Sequence, residues 1–113
     1  MNIDLQEYFD ARGHNHYREW ASDLDASVRA RIDKSVLRMG NGLPTDITPE
    51  GQGISALRLD FGPGYRVYFG LDGDQLIILL AGGTKRRQEK DILLARALWG
   101  EYKRRKRESK RGK

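Results

Sequence analysis

Apolar residues along this chain recur first at helical and then at strand spacing. Residues Asn2 to Tyr8 carry Ile3, Leu5 and Tyr8 among polar neighbours and predict a short edge strand, which Gly13 separates from the first helical stripe. Tyr17, Trp20 and Leu24 predict a short first helix. Leu24, Val28, Ile32, Val36 and Met39 form one stripe, with Arg29, Asp33, Lys34 and Arg38 off it. This predicts a second helix over 26–39, with Asp25 as N-cap and Gly40-Asn41-Gly42 as its end. Residues 43–53, with two prolines and two glycines, read as a loop.

The middle of the chain alternates. Ser55, Leu57, Leu59 and Phe61 interleave with Ala56, Arg58 and Asp60; after Gly62-Pro63-Gly64, Tyr65, Val67 and Phe69 interleave with Arg66 and Tyr68. Closing a hairpin on those three turn residues pairs Phe61 with Tyr65, Leu59 with Val67 and Leu57 with Phe69. Arg58, Asp60, Arg66 and Tyr68 then share the opposite face. Asp72-Gly73 predicts a two-residue turn that sets Leu76, Ile78 and Leu80 on the core face, leaving Ile77 and Leu79 beside the arginines. Something apolar should cover Ile77 and Leu79, either the final helix or a partner. That final helix is expected over 88–105, with Ile92, Ala95, Trp99 and Tyr102 on one side.

Charge changes this picture at one end. Of 113 residues, 38% are hydrophobic and 33% charged, which suits one small core under a charged surface. Residues 85–113 hold 13 Lys or Arg against 4 Asp or Glu, so the net charge of +5 belongs to the C-terminal quarter. Such a block meets nucleic acid, an acidic partner or an anionic surface, or is simply a solvated helix end. The expected organisation is a single domain over 1–105 with a basic, disordered tail over 106–113. With no Cys, disulfides and thiolate metal sites are excluded. His14 and His16 lack a carboxylate cluster at ligand spacing, so neither a metal nor another cofactor is expected. The segment Met1 to Asp10 is acidic and mixed, unlike a signal peptide, and no apolar run is long enough to span a membrane. A cytoplasmic protein is expected.

The richest chemistry lies in Arg58, Arg66, Tyr68 and Lys85. The first three share a sheet face in this register, and Lys85 comes just after the neighbouring strand. Cleavage of RNA by its own 2′-hydroxyl needs a proton acceptor, cations on the phosphate and a proton donor for the leaving oxygen. Arginines supply bidentate phosphate contacts, and Lys or Tyr can move protons. Arg86, Arg87, Gln88 and Lys90 extend the basic surface toward nucleic acid. The alternative is an exposed sheet face studded with Arg, with Asp60 and Arg66 as a cross-strand pair.

The run Leu57-Arg58-Leu59, the run Gly62-Pro63-Gly64-Tyr65-Arg66-Val67-Tyr68-Phe69-Gly70, and Gly82-Gly83-Thr84-Lys85 with Gln88 and Lys90-Asp91-Ile92 together resemble the RelE/ParE toxin superfamily. The nearest group is the HigB-like addiction module killer proteins. Trp20, Ala30-Arg31-Ile32 and Gly40-Asn41-Gly42 fit the same group, so the resemblance runs to about Arg105. It implies an α+β, RelE-like fold: two N-terminal helices on a curved antiparallel sheet, made of a three-strand meander plus an N-terminal edge strand, with a C-terminal helix. It implies a metal-independent endoribonuclease that cuts ribosome-bound mRNA, with Arg58, Arg66 and Lys85 as the basic site residues. The aromatic or histidine base of some members has no match here, leaving Tyr68 and Tyr102 as candidates. A cognate antitoxin of helix-turn-helix type is implied as partner, with Ile77 and Leu79 as its contact. The competing expectations are a gyrase inhibitor without nuclease activity and a non-catalytic nucleic-acid or antitoxin-binding module.

Overall fold

The computed structural model describes residues 3–111. Strand β1 (Asp4–Glu7) leads to a helical hairpin of α1 (His16–Ser22) and α2 (Ala26–Gly40). Next come strands β2 (Ile47–Pro49), β3 (Ile54–Leu59), β4 (Tyr65–Asp72) and β5 (Leu76–Thr84), then a 3-10 turn (Lys85–Arg87) and α3 (Gln88–Arg111). All five strands form one mixed sheet in the order β1-β5-β4-β3-β2. β1 joins the edge parallel to β5, pairing Asp4 with Leu76 and Glu7 with Leu79.

The helices obey the local signals. Asn15 caps α1, its side chain accepting from the Arg18 N–H at 2.9 Å. α2 buries Ile32, Val36 and Met39, the stripe that its 3.6-residue period dictates. Asp25, however, makes no side-chain cap hydrogen bond; only its backbone C=O accepts, from Arg29.

The five-strand mixed sheet, with β1 parallel to β5 and the extra edge strand β2, overturns the expected RelE-like layout of one curved antiparallel sheet, and both of its faces are covered. The helical hairpin packs on one face, burying Tyr17, Ala21, Ile32 and Met39 against Leu57, Val67, Phe69, Ile77 and Leu79. α3 lies on the other, burying Ala95, Leu98 and Trp99 against Ile54, Ala56, Tyr68, Ile78 and Leu80. The continuous apolar run of β5 fits a central strand buried on both sides. Two close approaches fix the layers. A Cβ at Gly82 would overlap the Trp20 ring, and one at Gly70 would stand 2.6 Å from the Trp99 ring.

The register differs from the sequence reading at both turns. The β3–β4 connection spans Asp60 to Gly64, so Leu59 faces Tyr65 and Arg58 faces Arg66. Each pair slips by two residues, which preserves the faces. The β4–β5 connection has three residues, pairing Asp72 with Leu76 and Phe69 with Leu79. That odd slip turns Ile77 and Leu79 onto the α1–α2 side, where they are 1% and 3% exposed. The expected antitoxin contact at Ile77 and Leu79 is therefore corrected to core. A bulge at Tyr68/Phe69 puts Leu80 and Ala81 together on the α3 side.

Three further expectations shift. The 43–53 loop contains β2, an edge strand that tolerates Pro49. The N-terminal strand is shorter than Asn2 to Tyr8, and Asn2 lies outside the described residues. α3 continues six residues past Arg105, through the first part of the stretch expected as a disordered tail; residues 112–113 lie outside those described. Among the described residues, no helix is long and apolar enough to cross a membrane.

Candidate functional site

The loop between β3 and β4 gathers the cations. Arg58 and Arg66 are direct cross-strand partners on the α3 side of the sheet. Two like charges in that relation repel unless an anion lies between them. The exposed Asp60 carboxylate supplies it, 3.9 Å from Arg58 Nη2 and 3.7 Å from Arg66 Nη1. Asp46 stands 4.0 Å from Arg58 Nη1. These are ion-pair separations rather than hydrogen bonds, so the guanidinium donors on this side keep capacity for another anion.

Lys85 joins the cluster through the backbone. Its N–H donates to the Gly64 carbonyl at 2.9 Å. The point where a Gly64 Cβ would stand is 3.3 Å from Lys85 Cβ and 3.8 Å from Arg66 Nη1, so the lysine stem and the guanidinium flank one glycine. Gly64 sits at φ +79°, a conformation that favours glycine over any residue bearing a Cβ. Beyond Lys85, residues Arg86, Arg87, Gln88, Glu89 and Lys90 line an open cleft of about 720 Å³ at the start of α3. Lys85, Arg86, Arg87 and Lys90 are exposed there.

Three of the four expected catalytic residues thus converge, with different exposure. Arg58 is half-buried and Lys85 open, whereas Arg66 is 4% exposed and donates from Nη1 to the Tyr65 carbonyl at 3.0 Å. Tyr68 is the correction. It is wholly buried beneath α3, and its hydroxyl has no hydrogen-bond partner among the described residues. Burial, then the charges of Asp91 and Glu50, push it up to about 12 against the opposing pull of Arg66. It neither faces substrate nor stacks on a base. Tyr102 is no substitute. It lies at the far end of β4 beside Asp72, and burial and its hydrogen bond to that carboxylate raise it to about 12.

Asp91 escaped the sequence reading. Its carboxyl is buried at the first turn of α3, with Oδ2 unpartnered among the described residues and set where a Gly83 Cβ would otherwise stand. Gly83 is the cross-strand partner of Arg66, so the carboxyl rests on the floor of the cationic cluster. Desolvation raises its pKa and outweighs the attraction of Arg87. The signal was available: Asp91 continues the Ala95, Leu98, Trp99 stripe backwards by one turn, a carboxylate on a buried face.

The histidines serve the loop before α1. His16 Nε2 lies 2.8 Å from Asp10 Oδ2, and the His14 and Arg12 N–H groups donate to Asp10 Oδ1. The His14 amide contributes most to holding the Asp10 carboxyl at about 2, with the His16 ring next.

No family model and no solved structure matches the chain. A protein of Haemophilus influenzae, described as an uncharacterized protein, is 40% identical over 83 residues, covering 73% of this chain and 84% of that one. The chain belongs to one family with this Haemophilus influenzae protein.

Proposed function

We propose that this chain is the toxin of a toxin–antitoxin pair, a metal-independent endoribonuclease that stops translation by cutting ribosome-bound mRNA in the cytoplasm. The observation that carries the reading is the convergence of Arg58, Arg66 and Lys85 on the Asp60–Gly64 loop, with the exposed Asp60 carboxylate between the two arginines. The resemblance of the Gly62–Gly70 and Gly82–Lys85 segments to toxin motifs supports it as well.

In this reading a phosphate of the RNA displaces Asp60 from between the two guanidiniums, which then bind its non-bridging oxygens. Asp60, set beside the phosphate, accepts the 2′-hydroxyl proton as the O2′–P bond forms. The P–O5′ bond breaks, and the Lys85 ammonium gives a proton to the leaving 5′ oxygen. The products are a 2′,3′-cyclic phosphate and a 5′-hydroxyl. Arg86, Arg87, Gln88 and Lys90 guide the adjoining backbone. The partner is a cognate antitoxin of helix-turn-helix type, which neutralises the toxin without using Ile77 or Leu79.

A second reading, inhibition of DNA gyrase without cleavage, is favoured by the burial of Tyr68, which removes the aromatic proton carrier from the reactive surface. Induced expression with mapping of transcript 5′ ends separates the two. New ends inside translated codons support the nuclease. Intact transcripts with altered plasmid supercoiling support the gyrase reading, and intact transcripts with normal supercoiling leave the non-catalytic binding module.

A further inference from the structure

A second cationic groove lies on the opposite side of the sheet plane, between α2 and β3. Arg31, Lys34 and Arg38 recur at i, i+3 and i+7 and so share one face of α2. With Arg58, Leu59 and Phe61 they line a groove of about 460 Å³. All three α2 cations are exposed, and among the described residues none has a carboxylate within ion-pair distance. The Arg31 guanidinium stands 3.6 Å from the Phe61 ring centroid, a stacked arrangement that holds the guanidinium over the ring. Arg58 belongs both to this groove and to the Asp60 cluster.

We propose that this groove binds the same single-stranded RNA, taking the nucleotides that flank the one held by Arg58, Arg66 and Lys85. The inference rests on the RNA reading and extends it. Three cations on one helix face, none with a carboxylate partner among the described residues and only Arg38 donating to a carbonyl (Pro44, 3.4 Å), match a row of phosphates. The outer plane of Arg31, backed by Phe61, gives a base a stacking platform. An acidic helical peptide fits less well, because among the described residues Leu59 and Phe61 are the only apolar ones lining the groove and such a helix needs an apolar row to bury. Arg58 at the shared wall makes the two cationic surfaces one track.

The test is fluorescence anisotropy with 2′-O-methyl oligouridines of about four and about twelve nucleotides, which bind but cannot be cut. The folded, unmodified chain binds the longer probe at least tenfold more tightly. Lys34→Glu with Arg38→Glu abolishes that length advantage and leaves the short probe unchanged. Lys34→Gln with Arg38→Gln reduces the advantage and lowers the salt slope by about 0.7 per lost phosphate contact. Arg104→Glu with Arg107→Glu, an equal change of charge on exposed α3 positions, leaves the advantage intact. Circular dichroism melts establish that each variant is folded. If the short probe binds but the Lys34/Arg38 variants keep the length advantage, the groove proposal fails while the RNA reading stands. If neither probe binds the unmodified chain, both fail. Tight binding of polyglutamate that leaves both RNA probes bound, and that the Lys34/Arg38 variants lose, assigns the groove to an acidic protein instead and overturns the proposal.

Discussion

At the scale of single residues, exposure separates chemistry from support. Lys85 points into solvent, so Lys85→Ala should change stability by less than about 0.5 kcal/mol while lowering toxicity at least tenfold; thermal melts and growth after induction measure the two. Arg66 is closed in and bonded to the Tyr65 carbonyl, so Arg66→Ala should also cost about 1–3 kcal/mol of stability. Asp91 gives a pH signature. Its folded pKa is raised, so the native state holds this proton more tightly than the unfolded chain does. Its burial penalty is absent below the unfolded carboxylate value, grows as pH rises through the folded one and then stays constant. Asp91→Asn should therefore raise the melting temperature at pH 7, with the gain shrinking toward pH 3; a gain equal at both values would contradict the assignment. The arginines were legible in the sequence because the loop altered their pairing by an even number of residues and left their face unchanged. Tyr68 was not, because alternation reveals which residues share a face without revealing that a helix covers it.

At the scale of elements, β5 decides the fold. Its apolar run satisfies both layers, so no alternation in it could fix the register; the turn after Asp72 set the faces as far as Leu80, and the bulge at Tyr68/Phe69 set them beyond. A three-residue turn rather than two moved Ile77 and Leu79 from a supposed surface into the helical-hairpin core. Leu79→Ala should accordingly cost about 2–5 kcal/mol in chemical denaturation, a loss that an exposed position would not incur. Gly82→Ala should cost about 1–3 kcal/mol, because its methyl group meets the Trp20 ring. β2 was hidden in the sequence because its three residues, Ile47 to Pro49, end in a proline and carry almost no period. α1, α2 and α3 were legible because their stripes are long relative to one turn, and α3 outran its expected end because arginine and lysine are good helix formers.

At the scale of the whole molecule, the two covered faces leave chemistry to the sheet's end and its flanks. The cations there come from four separate stretches of sequence: α2, the end of β3, the start of β4 and the turn before α3. Composition located the positive charge in the last quarter of the chain, yet Arg31, Lys34, Arg38, Arg58 and Arg66 all lie before it. Only the fold brings Arg66 beside Lys85, sets Arg58 across from Arg66, and lines the neighbouring groove with Arg31, Lys34 and Arg38. The measurement that tests this account most directly is the end-group chemistry of RNA cut by the purified chain on programmed ribosomes. The account predicts fragments ending in a 2′,3′-cyclic phosphate with matching 5′-hydroxyl ends, absent with Lys85→Ala. Fragments with 3′-hydroxyl and 5′-phosphate ends, or RNA left whole by the folded protein, would contradict it.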